Sequence, residues 1–200
     1  MILSGWFSSS TFYARYLTLT AMATGWRFIN GNWYYMYSSG AMAHDTYIGA
    51  YYVDSSGARV IDNIQKSMDL KAINYNSATA YLILVDTSQC RVSIYNGKQG
   101  AWNSVQYYVC SPGKPSTPTV KGIFTVQVKG RYFDSGNSRC YWYTQFYGNY
   151  LFHSTLYNKN GTIQDNRTGI PLSHGCVRLE IQNAKWIYDN IPRGTKVVVY

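Results

Sequence analysis

Ser173-His174-Gly175-Cys176-Val177-Arg178 gather a hydroxyl, an imidazole, a thiol and a guanidinium around one glycine. A thiolate attacks carbonyl carbon well, but near neutral pH a cysteine needs a base or a cationic neighbour to become one. His174 precedes Cys176 by two residues, Arg178 follows it by two, and His153-Ser154 stands upstream, so three groups compete to activate the thiol. Gly175 lets the backbone turn tightly enough for nearby N–H groups to face an oxyanion. The chemistry this pattern permits is nucleophilic attack on a carbonyl. His153, His174 and Cys176 are also metal-binding residue types, yet no carboxylate or second cysteine joins them, so neither a metal nor another cofactor is expected. A buried structural cysteine is the ordinary reading of any single Cys, and the surrounding tetrapeptide is what sets Cys176 apart.

The elements that must position this cluster read as mostly β. Ala80-Tyr81-Leu82-Ile83-Leu84-Val85-Asp86 is an apolar run of strand length, and Arg91-Val92-Ser93-Ile94-Tyr95 alternates behind it. Asn96-Gly97-Lys98 reads as a turn, followed by a β-rich run from Val105 to Val109. A hairpin centred near residue 100 sets residues whose numbers add to about 200 opposite one another. Cys90 and Cys110 then become cross-strand neighbours, either bridged or reduced in the core. Further strands are expected at Ile123 to Val128, Tyr141 to Tyr147 and Lys196 to Tyr200. One helix is expected, Ile181 to Asn190, with Ala184, Ile187 and Tyr188 on one face and Pro192 beyond its end.

Residues 1–60 are organised differently, with a repeat of about twenty residues. Gly5-Trp6 is echoed by Gly25-Trp26 and, less well, by Thr46-Tyr47; Ser38-Ser39-Gly40 matches Ser55-Ser56-Gly57. Each unit is too short to bury a core alone, so aromatic pairs between Gly/Ser/Asn turns predict small hairpins stacked as a short solenoid. Trp6, Trp26, Trp33, Tyr34 and Tyr51 either fill its core or form cages for a cation. Residues 61–78 lack the repeat and read as a linker or a brief helical turn.

With 46% hydrophobic residues and no apolar run near the roughly 18 residues that span a bilayer, no membrane span is expected. The opening Met1-Ile2-Leu3-Ser4-Gly5-Trp6 lacks the basic region and long apolar stretch of a secretory signal, so a trimmed chain is expected. Residues 79–200 hold thirteen Lys/Arg against five Asp/Glu, most of the net charge of +9. Such a field draws anionic polymers, but the cations are scattered singly, which argues against nucleic acid. Cys90, Cys110, Cys140 and Cys176 show no C-x-x-C spacing, so a structural zinc site is not expected.

Ser173-His174-Gly175-Cys176 followed by an aliphatic residue and Arg178, with His153-Ser154 upstream, resembles the active-site signature of the L,D-transpeptidase (YkuD) family. The resemblance covers residues 79–200. Leu84-Val85-Asp86 and Val92-Ser93-Ile94-Tyr95 match the family's opening strands, and Ser111 to Phe124, with Gly113-Lys114, Thr117-Pro118, Gly122 and Phe124, matches its characteristic loop and strand. It implies a β-sandwich with one or two short helices. In it Cys176 attacks the L-to-D peptide bond of a tetrapeptide stem, releases the terminal D-alanine and becomes a thioester. An amine on a neighbouring stem resolves the thioester to a 3→3 cross-link, while water in that role gives L,D-carboxypeptidase activity. By the same matching His153 is the general base and Ser154 orients it. Ser173 and His174 shape the pocket, the Gly175 and Cys176 amides help bind the oxyanion, and Arg178 holds a substrate carboxylate, a task suited to guanidinium. Two features depart from the family. His153 lies 23 positions before Cys176, a longer interval than usual, which makes residues 157–169 an extra loop, and Arg178 stands where many members carry Asn.

The front repeats resemble choline-binding-type cell-wall-binding repeats, whose aromatic cages take a quaternary ammonium group. Together the resemblances imply an extracellular, wall-associated enzyme of a Gram-positive bacterium. Its partners would be peptidoglycan stem peptides, with anionic wall polymers or choline-like groups at the repeats. A wall-binding protein without enzymatic activity is the rival reading.

Overall fold

The computed structural model describes residues 23–30, 32–48, 51–60 and 62–200. The chain divides after Asp62 into two compact units. The expectations for Trp6 and the first repeat fall outside the described residues.

In the first unit, β1 (Gly25–Ile29) and β2 (Asn32–Met36) form one antiparallel hairpin, and β3 (Thr46–Ile48) and β4 (Tyr51–Val53) form another. Both matching Ser-Ser-Gly phrases are tight turns, with φ of 80° at Gly40 and 77° at Gly57, each closed by a bridge, Met36 to Met42 and Val53 to Arg59. The Arg59 amide donates to the Trp33 carbonyl at 2.7 Å, so the end of the second hairpin unit is stitched to the first. Met36, Met42, Ala43 and Val53 are the most deeply buried apolar residues here. The aromatics stand half-buried around them. Trp26 meets Tyr35 and Tyr51 edge-on at 5.4 and 5.6 Å, and the Arg59 guanidinium lies 4.0 Å from the Tyr51 ring centre.

The second unit opens with α1 (Asn63–Ala72), inside the stretch read as a linker. Met68 and Ala72, one turn apart, are fully buried against Leu82, Leu84, Tyr95 and Val198. Ile64, one turn before Met68, packs half-buried on the same cluster, while Leu70 is 69% exposed on the opposite side and blurs the apolar stripe in the sequence. The strands follow as β5 (Tyr81–Asp86), β6 (Arg91–Lys98), β7 (Ala101–Val109), β8 (Gly122–Thr125), β9 (Lys129–Ser135), β10 (Ser138–Tyr147), β11 (Tyr150–Ser154), β12 (Leu156–Asn158), β13 (Ile163–Asp165) and β14 (Val177–Leu179). Helix α2 (Ile181–Asn190) and β15 (Lys196–Val199) complete the unit.

One sheet has the order β7-β6-β5-β15-β8, the other β13-β12-β10-β11-β14 with β9 also paired to β10. The main core joins Ile83, Val85, Val92, Ile94, Val197 and Val199 of the first sheet to Phe146, Phe152, Val177 and Leu179 of the second, with Ala184 and Ile187 of α2. Leu82, Leu84 and Val198 face the other way, onto α1. Because β5 is buried on both faces, it reads in sequence as a continuous apolar run.

Arg91 pairs with Val109 and Val92 with Tyr108, and the Cys110 amide donates to the Cys90 carbonyl at 2.9 Å. The two cysteines are cross-strand neighbours, buried, with free thiols. The reversal itself is not at Asn96-Gly97-Lys98, which lies within β6; Lys98 pairs with Ala101 around the two residues Gln99-Gly100. Gly97 serves a different purpose, since a Cβ there would sit 2.4 Å from the Ala101 carbonyl oxygen.

If α1 belongs to the core of this unit, Met68→Ala will cost about 2–4 kcal/mol in urea unfolding. A residue in a solvated linker would cost about 0.5 kcal/mol or less.

Candidate active site

Strand β11 lies parallel to β14, with Phe152 beside Val177, His153 beside Arg178 and Ser154 beside Leu179. Cys176 comes immediately before β14, so this pairing brings the thiol and the upstream imidazole to neighbouring strands. Sequence distance between them is thereby made irrelevant.

His153 is buried, and its Nδ1–H donates to the Ser154 carbonyl oxygen at 2.6 Å. A carbonyl can only accept, so the proton sits on Nδ1 and Nε2 keeps its lone pair. Ser154 therefore orients the ring through its main chain. Its hydroxyl donates to the Thr155 carbonyl and accepts from the Tyr141 amide, at 2.6 and 2.9 Å. Phe133 packs edge-on against the imidazole at 5.3 Å. Burial, opposed by the Ser154 bond, lowers the His153 pKa to about 4, so the ring is neutral at pH 7.

The Cys176 thiol is half-buried and donates to the Asn149 carbonyl at 3.4 Å. Burial pushes its pKa up, while the Leu151 amide, bonded to the sulfur, and the Arg178 charge pull the other way. Cys140 lies close enough for the two sulfurs to interact. Its own pKa is pushed up to about 12, first by burial and then by Cys176.

The Ser173–Cys176 turn is tied at every residue but one. Ser173 Oγ donates to the Cys176 carbonyl at 2.5 Å and accepts from the Gly175 amide at 3.0 Å. Thr119 Oγ1 donates to the Gly175 carbonyl at 2.7 Å and accepts from the Gly113 amide at 2.8 Å. The Ser173 carbonyl takes the Lys114 amide at 3.0 Å and the Thr117 hydroxyl at 3.2 Å. Thus the loop Gly113-Lys114-Pro115-Ser116-Thr117-Pro118-Thr119 is a clamp on the Ser173–Cys176 turn, a purpose that its sequence did not announce. Gly175 has φ of 123°, and a Cβ there would stand 3.0 Å from the Tyr150 ring. The amide of Gly175, expected at the oxyanion, is engaged by Ser173. His174 is the exposed member.

Arg178 is buried, with 7% of its surface exposed. Its Nη1 stands 3.6 Å from Asp165 Oδ2, and Arg167 holds the same carboxylate through Nε and Nη2, each at 2.9 Å. Asp165 lies at the end of β13 in the stretch read as an extra loop, which folds as an edge hairpin of β12 and β13. Among the described residues, no three His, Cys, Asp or Glu side chains are placed to hold a metal ion, and no helix is long and apolar enough to cross a membrane.

Comparison with known proteins adds to this geometry. A model of the L,D-transpeptidase (YkuD) catalytic domain matches residues 80–199, and a choline-binding-repeat model matches residues 21–58. YciB of Bacillus subtilis (strain 168), named as a provisional L,D-transpeptidase, is 36% identical over 113 residues, 51% of this chain and 58% of its own. A Clostridium acetobutylicum ATCC 824 structure, a fused Zn-dependent amidase/peptidase/peptidoglycan-binding domain-containing protein, is 40% identical with a TM-score of 0.58. That match covers 68% of this chain and 58% of the other. An LD transpeptidase in complex with imipenem shares the fold, with a TM-score of 0.50, 22% identity and coverage of 60% and 59%. The chain thus spans less than two thirds of each of these relatives.

Two outcomes follow from the site's bonding. Thr119→Val, which removes both hydroxyl bonds while keeping the shape, will destabilise the unit by about 1–3 kcal/mol and slow alkylation of Cys176; unfolding and peptide mass mapping check the two effects. His153 has a folded pKa of about 4 against its ordinary 6.5. Its contribution is therefore fully present above pH 6.5 and is lost as pH falls towards 4, on the order of 3 kcal/mol in all. Acid unfolding of the parent should be steeper in that window than that of His153→Gln.

Proposed function

The chain belongs to the L,D-transpeptidase (YkuD) family, and from that premise we propose that it cross-links peptidoglycan 3→3 through a thioester on Cys176. The observation that carries this reading is the parallel pairing of β11 with β14, which sets a neutral His153, with its lone pair on Nε2, on the strand next to the one that Cys176 leads.

The proton on Cys176 Sγ passes to His153 Nε2 as sulfur attacks the carbonyl carbon of the L-to-D peptide bond. In the resting state the thiol is bonded to the Asn149 carbonyl, so it leaves that partner when substrate arrives. Negative charge gathers on the carbonyl oxygen, for which the Cys176 amide is the proposed donor, and the Leu151 amide supports the sulfur itself. The tetrahedral centre then collapses. The carbon–nitrogen bond breaks, His153 returns the proton to the departing D-alanine amine, and the acyl group remains on Sγ. An amine from a second stem repeats the attack with His153 as base and restores the thiol; water in its place completes hydrolysis. Ser173 keeps the turn in shape and His174 lines the approach to it.

The repeats support association with the cell wall. Choline-like groups or anionic polymers are the ligands proposed there, and in Tyr51 one ring face already carries a cation from the chain itself, Arg59.

The test is intact mass measurement after mixing the folded, reduced protein with a carbapenem, whose strained ring acylates activated thiols. One adduct is expected on the parent and none on Cys176→Ala. A parent protein that stays unmodified would sink the proposal and favour a wall-binding role.

A further inference from the structure

Arg178 was expected to grip a substrate carboxylate, yet its position is poorly suited to that. Its guanidinium is buried, and a carboxylate of the same chain already faces it. Asp165 owes its placement to the β12–β13 hairpin, in which it pairs with Leu156, the residue opposite Cys140 of β10. From the solvent side Arg167 fixes the carboxylate with two side-chain bonds and a backbone bond at 3.1 Å. From the inner side the same carboxylate faces Arg178. The Arg178 Nε is buried without a hydrogen-bond partner, so a shift of this guanidinium has no second anchor to rest on. The charged and titratable groups around it are Asp165 and Arg167 from the hairpin, Cys140 from β10, His153 from β11 and Cys176 ahead of β14.

We propose that Asp165 is a positioning residue: it locks Arg178 beside the nucleophile, so that the guanidinium serves the Cys176 sulfur rather than an incoming substrate carboxylate. This rests on Cys176 being the nucleophile. The physical logic is that of a fixed charge in a poorly solvated site. A cation held near sulfur stabilises the thiolate only while it stays there, and a long, flexible side chain needs a partner to stay. Asp165 is that partner. It also satisfies the buried charge when the thiol is neutral, which is its state before substrate binds. A buried guanidinium without a counter-charge would leave the site for water.

The experiment follows Cys176 alkylation by iodoacetamide against pH, read by peptide mass mapping, together with carbapenem acylation at pH 7. Asp165→Asn should raise the alkylation midpoint by about one unit and slow acylation about tenfold. Asp165→Glu, which keeps the charge, should recover most of both. Arg178→Gln should produce the same shift, and adding Asp165→Asn to it should change little, since the two act as one unit. The proposal is overturned if folded Asp165→Asn titrates like the parent, if its midpoint falls, or if the two substitutions add. It is equally overturned if Arg178→Gln leaves the midpoint in place, a result that does not depend on Asp165→Asn folding. A parent that neither alkylates at Cys176 nor takes the carbapenem refutes the enzymatic reading instead, so the two failures are distinct.

Discussion

At Gly175 the backbone holds φ of 123°, in a region that side chains rarely adopt, with the Tyr150 ring where a Cβ would project. That reversal aims Cys176 and starts β14 beside β11. Its cost is met by hydrogen bonds at each end: Ser173 closes the turn on itself, and Thr119 anchors the Gly175 carbonyl to the Gly113 loop. The same loop is joined to β14, where Ser111 and Arg178 exchange backbone bonds at 2.8 and 2.9 Å. The Ser173–Cys176 turn, β11, β14 and the clamp loop are therefore one hydrogen-bonded assembly. Loosening any one of them moves the thiol.

Burial then sets the electrostatics. It disfavours charge on every group at once, so the thiol is pushed up and the imidazole down, and both shifts oppose a standing thiolate–imidazolium pair. The resting site is a neutral thiol beside a neutral base. In the proposed mechanism, proton transfer belongs to the encounter with substrate, when charge flows onward to a carbonyl oxygen instead of accumulating on sulfur. Among the described residues two features oppose the burial at sulfur, the Leu151 amide and the Arg178 charge. Adjacency in sequence, which made His174 a candidate base, leaves it exposed on the outside of the turn.

The parts of the structure that were legible are those where one short segment carries the whole signal. Ser173 to Arg178 declare their chemistry by composition, and Tyr81 to Asp86 declare a doubly buried strand by unbroken hydrophobicity. The Cys90–Cys110 pairing was legible because an antiparallel hairpin fixes a constant sum of residue numbers, even though the turn was misplaced by two or three residues. Strands β9, β11, β12 and β13 gave no such signal. In β9 and β13 the side chains are half-exposed, where alternation between apolar and polar faces is weak; β11, three of whose five residues are buried, is too short to show a period. The Asp165–Arg178 pair and the Thr119 anchor were invisible for a different reason. Each joins residues distant in sequence, and nothing local distinguishes Asp165 from the other aspartates. For the repeat aromatics the sequence left core and cage open; in the described hairpins Met36 and Val53 are fully buried and the rings of Trp26, Trp33 and Tyr51 are half-buried.

Between His153 and Ser173 the chain makes an excursion through β12 and β13 before it reaches the Ser173–Cys176 turn. An insertion inside β11 or β14 would shift register and reverse which side chains face the core. The excursion instead forms β13 at the sheet edge, where its pairing with β12 leaves the β11–β14 ladder untouched, and Gly161 with φ of 89° turns the hairpin. The chain then returns through Gly169, whose amide donates to the Cys110 carbonyl at 3.0 Å, and Leu172 and Ser173, whose amides share the Pro112 carbonyl at 3.0 and 3.1 Å. These bonds fix where the nucleophile turn begins, whatever the length of the excursion before it. What the excursion brings back beside that turn is a carboxylate, Asp165, facing the buried Arg178.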